Sequence, residues 1–164
     1  MDLQTQKTMF SSKSNEWGTP PDFFARLNKK FNFTLDPCCT ANTAKCEKYF
    51  TREDDGLSKS WANEVVFVNP PYGDISKWVK KAYEESTQSN ATVVMLIPSR
   101  TDTRYWHDYI MEGANMIYFV KGRLKFTNHN DKQNAAPFPS AVVVFDSGKF
   151  RWISSPPTIK TLER

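Results

Sequence analysis

Long apolar runs are missing from these 164 residues. Nothing approaches the roughly 20 residues needed to span a bilayer, so no membrane-spanning segment is expected. Histidine is scarce, with His107 and His129 alone, and cysteine is limited to Cys38, Cys39 and Cys46. An odd, clustered trio with no second Cys/His group argues against both a disulfide framework and a zinc site. The three cysteines read as small residues packed near the first strand. Met1-Asp2-Leu3-Gln4 lacks the basic-then-apolar order of a secretion signal, so a cytoplasmic location is expected. No internal repeat breaks the chain into units.

What the chain does have is aromatic side chains, 14% of residues, within an ordinary balance of 39% apolar and 24% charged. That length and balance suit a single globular domain with a real core. The net charge of +4 is unevenly spread: residues 32–72 carry four basic and six acidic groups, residues 100–132 six and four, and residues 149–164 four and one. The C-terminal half is therefore the more basic, as a polyanion-binding surface requires.

Residues 1–15 read as a polar, flexible arm, residues 16–147 as the domain, and residues 148–164 as a peripheral or disordered tail. Thr19 stands where it would cap a helix with Pro20 in its first turn. Phe23, Phe24, Leu27 and Phe31 then recur at helical spacing. Residues 33–36 read as a first short strand stopped by Pro37, residues 41–46 as a short helix, and residues 49–51 as a second strand. An acidic turn at 52–56 leads to the apolar strand 65–68. A surface helix at 76–85 precedes residues 92–97, an unbroken apolar run typical of a strand buried on both faces. Tyr105, Trp106, Tyr109 and Ile110 mark a further helix, and residues 116–120, 124–126 and 140–145 further strands. Residues 128–136 read as a polar, mobile loop. Strands alternating with helices, then two strand-like segments with no helix between them, predict an α/β fold. Its sheet should be mostly parallel with an antiparallel element at one end, near the C-terminus.

The most informative string is Asn69-Pro70-Pro71-Tyr72, at the end of the 65–68 strand. Ligands of open α/β sheets bind outside the carboxyl ends of strands. Proline carries no N–H, so the Asn69 side chain and the carbonyls of Asn69 and Pro70 offer acceptors without a competing donor from Pro70 or Pro71. Acceptors beside the Tyr72 ring suit a planar group bearing an NH2. Asp36 ends the first strand, where its carboxylate could receive an ammonium or ribose hydroxyls. Asp55, with Glu53 and Asp54 as competitors, offers a second acceptor in the acidic turn.

Asn-Pro-Pro-Tyr resembles the active-site motif of amino methyltransferases that use S-adenosylmethionine, among them adenine-N6 and protein-glutamine enzymes. Thr19-Pro20, Leu35-Asp36-Pro37, Asp55-Gly56-Leu57 and Asn69-Pro70-Pro71-Tyr72 follow the order of Rossmann-like methyltransferases whose cofactor region precedes the catalytic motif. The chain looks most like the small phage and prophage DNA N-6-adenine methyltransferases. Glu16-Trp17-Gly18, Pro98-Ser99-Arg100, Gly122-Arg123-Leu124-Lys125-Phe126 and Ala136-Pro137-Phe138-Pro139-Ser140 extend the likeness over roughly residues 15–146. One departure stands out: Asp36 is followed by Pro-Cys-Cys-Thr-Ala, where related enzymes have a Gly-rich turn.

The resemblance implies S-adenosylmethionine held by Trp17, Thr19, Pro20, Asp36, Cys38 and Asp55, with Thr19 and Pro20 at its methionine end. It implies catalysis by Asn69, Pro70 and Tyr72 on an adenine flipped out of double-stranded DNA, without a metal. The substrate would meet Pro71, Arg100, Arg104, Arg123, Lys125, Phe126 and Phe138, with Phe126 or Phe138 covering the ring face opposite Tyr72. The protein would be phage or prophage encoded and act in the bacterial cytoplasm. Two other readings remain open at this level: a protein-glutamine methyltransferase using the same motif, and a non-catalytic DNA-binding module on a methyltransferase fold.

Overall fold

The helix carrying Phe23, Leu27 and Phe31 spans Pro21–Phe31 (α1) and buries all three. Proline suits a first turn because its missing N–H would find no intrahelical partner there. The capping position falls on Pro20 with no side-chain cap, so Thr19 does not cap this helix as expected. Its hydroxyl is engaged by a residue 50 positions away. This computed structural model describes residues 18–127, 133–148 and 157–164. The arm expected over residues 1–15 and the candidate Trp17 lie outside the described residues.

Nine strands occur among the described residues: β1 (Leu35–Asp36), β2 (Lys48–Tyr49), β3 (Val65–Val68), β4 (Thr92–Pro98), β5 (Met116–Lys121), β6 (Lys125–Thr127), β7 (Gln133–Ala135), β8 (Ser140–Phe145) and β9 (Thr158–Glu163). Seven form one sheet in the order β2-β1-β3-β4-β8-β5-β9, and β6 with β7 makes a separate hairpin. All pairs in the large sheet are parallel except those of β8, which runs antiparallel to β4 and to β5. The mostly parallel α/β sheet with an antiparallel strand near the C-terminus is thus as expected. The position of that strand is not. β8 lies inside the sheet, between β4 and β5, because every one of its residues is buried and needs cover on both faces.

Alternation of side chains builds two cores. Val66, Val68, Met95, Ile97, Val143 and Phe145 face one side, against Trp78, Val79 and Ala82 of helix α2 (Ile75–Gln88). Val65, Phe67, Val94, Leu96, Val142 and Val144 face the other, against Phe23, Leu27 and Phe31 of α1. Apolar residues on both faces are the expected composition of a covered parallel sheet. A short helix over residues 104–113 contains a π-helical turn at Trp106–Ile110.

Three further expectations change. Residues 41–46 form turns rather than a helix; Thr40 and Thr43 bond each other's backbone and hydroxyl groups, a local alternative that competes with helix formation. Residues 133–135 of the expected 128–136 loop are strand β7, paired with β6, while residues 128–132 lie outside the described residues. Residues 158–163 of the expected tail form edge strand β9, parallel to β5. Its side chains are almost all exposed, so the backbone ladder holds it rather than apolar burial. That is why no hydrophobic pattern announced it.

Strand direction decides what meets at the sheet's carboxyl edge. β1, β3, β4 and β5 all end there, bringing Asp36, Asn69, Ser99-Arg100 and Gly122-Arg123 to one rim. Because β8 is antiparallel, its start lies at the same rim, with Ser140 paired to Pro98 and Phe138-Pro139 beyond it.

Candidate active site

A cleft of about 400 Å³ opens at this rim, and Thr19, Asp36, Cys38, Asp55, Asn69 and Pro71 all border it. Residues separated by up to 52 positions are therefore gathered at one concavity. Asn69 is half-buried and is not sealed in the core. Its Nδ2 donates to Thr19 Oγ1 at 3.0 Å. Pro70 is buried behind it. Pro20 belongs to the start of α1, accepting the Phe24 N–H at 3.0 Å, and does not border the cleft.

Asp36 is 3% exposed. One carboxylate oxygen accepts from the Cys38 N–H at 3.3 Å and the other from the Lys45 N–H at 3.0 Å. Burial pushes its carboxyl above the ordinary carboxylate range, and the N–H groups of Lys45 and Cys38 oppose that shift. The Asp36 carboxylate thus shapes the very loop in which a Gly-rich turn is absent. Two backbone N–H groups folded onto one carboxylate replace glycine's freedom. A buried carboxylate with remaining lone pairs calls for a positive ligand.

The acidic turn resolves into distinct roles. Asp54 accepts from the Thr51 N–H at 2.8 Å and from the Thr51 hydroxyl at 3.0 Å; these bonds hold its carboxyl below the ordinary range. Of Glu53, Asp54 and Asp55, only Asp55 borders the cleft. It adopts the left-handed conformation, φ 54°, which aspartate tolerates better than most residues.

Three supporting residues escaped the sequence reading. A Cβ on Gly56 would collide with the Pro37 carbonyl, so glycine alone lets the Asp55 loop close against the β1 loop. The Trp61 indole N–H donates to the Gly56 carbonyl at 3.0 Å, and the Trp61 backbone N–H donates to Glu85 Oε2 at 3.1 Å. Glu85 is itself held by Lys81 at 2.6 Å. A buried carboxylate on α2 therefore anchors one wall of the cleft. The usable signal was Glu85, an acid on the inward stripe that also carries Trp78 and Ala82.

Burial raises the cysteine thiols, Cys39 and Cys46 to about 12 each, with the Asp36 charge adding to the effect. Cys38 is raised still further by the same two causes in the same order. Cys38 and Cys39 line the cleft as neutral thiols, and Cys46 does not border it.

The aromatic candidates divide. Tyr72 is half-buried, its phenol raised by burial against the opposing charge of Arg100. Phe138 meets it edge-on, with ring centroids 5.0 Å apart. Phe138 and Phe126 are 5% and 2% exposed and belong to the core on the α1 side. They sit behind Tyr72 and present no open face for a second ring. This corrects the expectation that one of them would cover a base.

The cationic candidates do not border the cleft. Arg100 is half-buried just past β4, Arg104 is exposed and pairs with Asp108 at 3.6 Å, and Arg123 and Lys125 are exposed before and within β6. Among the described residues no group of three or more His, Cys, Asp or Glu side chains is arranged to hold a metal ion, and no helix is long and apolar enough to cross a membrane.

A parallel sheet with one inserted antiparallel strand, opening a carboxyl-edge cleft between an acid that ends β1 and an Asn-Pro-Pro-Tyr after β3, is the architecture of a Rossmann-like methyltransferase. The sequence profile of the DNA N-6-adenine-methyltransferase (Dam) family matches residues 6–159, and the chain belongs to that family. Similar proteins include the DNA N-6-adenine-methyltransferase of Haemophilus phage HP1 (strain HP1c1), 26% identical over 151 residues, covering 88% of this chain and 86% of that protein. The DNA N-6-adenine-methyltransferase of Escherichia phage T1 is 30% identical over 104 residues, covering 62% of this chain and 43% of that protein. A protein named as the putative methyltransferase YfdM of Escherichia coli (strain K12) is 35% identical over 65 residues, covering 35% of this chain and 71% of that protein.

Proposed function

We propose that this protein methylates the N6 amino group of adenine in double-stranded DNA, with S-adenosylmethionine as donor and Asn69, Pro70 and Tyr72 at the reacting group. The observation that carries this reading is that Asn69 borders the same cleft as Asp36 and Asp55, in a chain of the DNA N-6-adenine-methyltransferase family. Family membership also favours DNA over a protein amide as substrate.

The cleft fits the donor in size, within the roughly 300–1,000 Å³ of small-molecule sites, and in chemistry. Asp36 offers a buried negative charge to a cationic ligand, and Asp55 an acceptor for an adenine amino group. When bound, S-adenosylmethionine supplies an electrophilic methyl group on a sulfonium centre. The protein's part is to bind, orient and polarise. Asn69 Oδ1 and the Pro70 carbonyl each accept one N–H of the target amine and draw its lone pair out of conjugation with the ring. Acceptor dipoles fixed in advance also stabilise the positive charge that develops on nitrogen. Tyr72, braced edge-on by Phe138, stacks on one face of the base. A base inside a duplex cannot reach this rim, so it must be extruded. Arg100 and Arg123, which follow β4 and β5 at the same rim, and Arg104 and Lys125 are the candidate phosphate or base-edge contacts.

Transfer of tritiated methyl groups to unmethylated duplex DNA tests the reading. Asn69→Ala should lower the rate about 100- to 1,000-fold, the usual cost of removing one fixed transition-state partner, while binding the cofactor normally. Full activity in Asn69→Ala would remove Asn69 from the chemistry. Transfer to protein and not to DNA would replace the substrate.

A further inference from the structure

We infer that Thr19 is a positioning residue for the methyl-transfer step, acting through Asn69; the inference rests on the catalytic reading of Asn69 given above. A side-chain amide has a donor end and an acceptor end of nearly the same shape. Rotating it by half a turn exchanges them. The target amine brings two N–H donors, so only the Oδ1 end of Asn69 can serve it. The structure adopts that orientation, with Thr19 Oγ1 receiving the Nδ2 hydrogen at 3.0 Å.

Two features support this role. The capping position of α1 is Pro20, with no side-chain cap, so Thr19 lies one residue outside it and its hydroxyl has no capping role. The Thr19 hydroxyl is turned to Asn69 instead, and the residue is 3% exposed. Its backbone is also fixed on both sides. Gly18 forms an antiparallel bridge with Thr127, N–H to carbonyl at 3.1 Å one way and 3.3 Å the other, and Pro20 is the capping residue of α1. The acceptor for Asn69 is thus set between a helix and the β6–β7 hairpin. Misplacing a reacting partner by about 1 Å can cost on the order of 100-fold in rate.

The test compares Thr19→Val, which keeps the shape and removes the hydroxyl, with Thr19→Ser, which keeps the hydroxyl. Single-turnover methyl transfer is measured at saturating duplex DNA and S-adenosylmethionine, cofactor affinity by calorimetry. Thr19→Val should slow the chemical step roughly 10- to 100-fold with cofactor affinity changed by less than about threefold, and Thr19→Ser should stay within about threefold of the unaltered rate. An unaltered single-turnover rate in Thr19→Val overturns the proposal. So does a weakened cofactor affinity whose effect disappears at saturation, since Thr19 would then be a plain cofactor contact. If Thr19→Val fails to fold, Thr19→Ala against Thr19→Ser decides: equal rates overturn the proposal, and a slower Thr19→Ala supports it. Asn69→Ala separates the two levels. Loss of transfer there beside a fully active Thr19→Val sinks the positioning role alone, whereas full transfer in Asn69→Ala sinks the catalytic reading beneath it.

Discussion

The two halves of the sheet are built by different means. On the β4–β8–β5 side, strands are six or seven residues long, and β4 and β8 pair at six positions from Val93↔Phe145 to Pro98↔Ser140. Every residue of both strands is buried. On the β2–β1–β3 side, β1 and β2 have two residues each, and β1 meets β3 at the single register position Leu35↔Val66. That half is completed by polar ties: Asp36 to the N–H groups of Cys38 and Lys45, Asp54 to Thr51, and Trp61 to Glu85 and Gly56. One half is held by apolar burial and serves as the frame. The other shares that core through β3 but relies on these hydrogen bonds around β1 and β2, where the cleft lies, because a ligand site needs polar groups and close backbone approach that a long apolar strand cannot provide.

The sharpest way to break this division is to damage the frame alone. Phe145→Ala removes a fully buried ring that packs edge-on to Tyr83. Urea unfolding should show a loss on the order of 3–5 kcal/mol, a large part of the roughly 5–15 kcal/mol that holds a domain together. Cofactor affinity of the protein that remains folded should hardly change. A large loss of affinity would mean that the halves are not separable.

Asp36→Ala is the complementary change. Calorimetry should show cofactor binding weaker by roughly 10- to 100-fold, the worth of one or two hydrogen bonds to a charged group. Unaltered affinity would refute the assigned role of Asp36.

The mildest test is pH. Burial pushes the Cys39 and Cys46 thiols up to about 12 from the ordinary 9.0. The folded state therefore holds protons that the unfolded chain releases. The stability linked to these thiols is fully present below pH 9.0 and is lost as pH rises through about 12. Urea unfolding between pH 8 and 10.5, roughly the onset of that window, should show a decline that Cys39→Ser/Cys46→Ser makes shallower. A decline of the same slope in that variant would place the titrating groups elsewhere.

Much of this was legible before folding. The runs at β3 and β4 are apolar throughout and read as buried strands, and Asn69-Pro70-Pro71-Tyr72 marks its own place at a strand end. Asp36 and Asp55 were legible as acids in the right order along the chain. The 41–46 turn was not, because Thr40 and Thr43 satisfy each other through contacts no periodicity reveals. Nor was β9, which is held by its backbone. Phe126 and Phe138 misled because an aromatic side chain looks the same in a core as in a base-stacking site.

Side-chain chemistry along the chain was enough to specify that β3 and β4 are buried strands, which residues carry acceptors, and which family the chain belongs to, since these depend on composition and local order. Placing β8 inside the sheet, turning Thr19 from a helix cap to Asn69, and separating Asp55 from Asp54 depended on contacts between residues far apart in sequence. Such contacts exist only once the strands have paired, because a hydroxyl or carboxylate takes whichever partner the folded chain brings within about 3 Å.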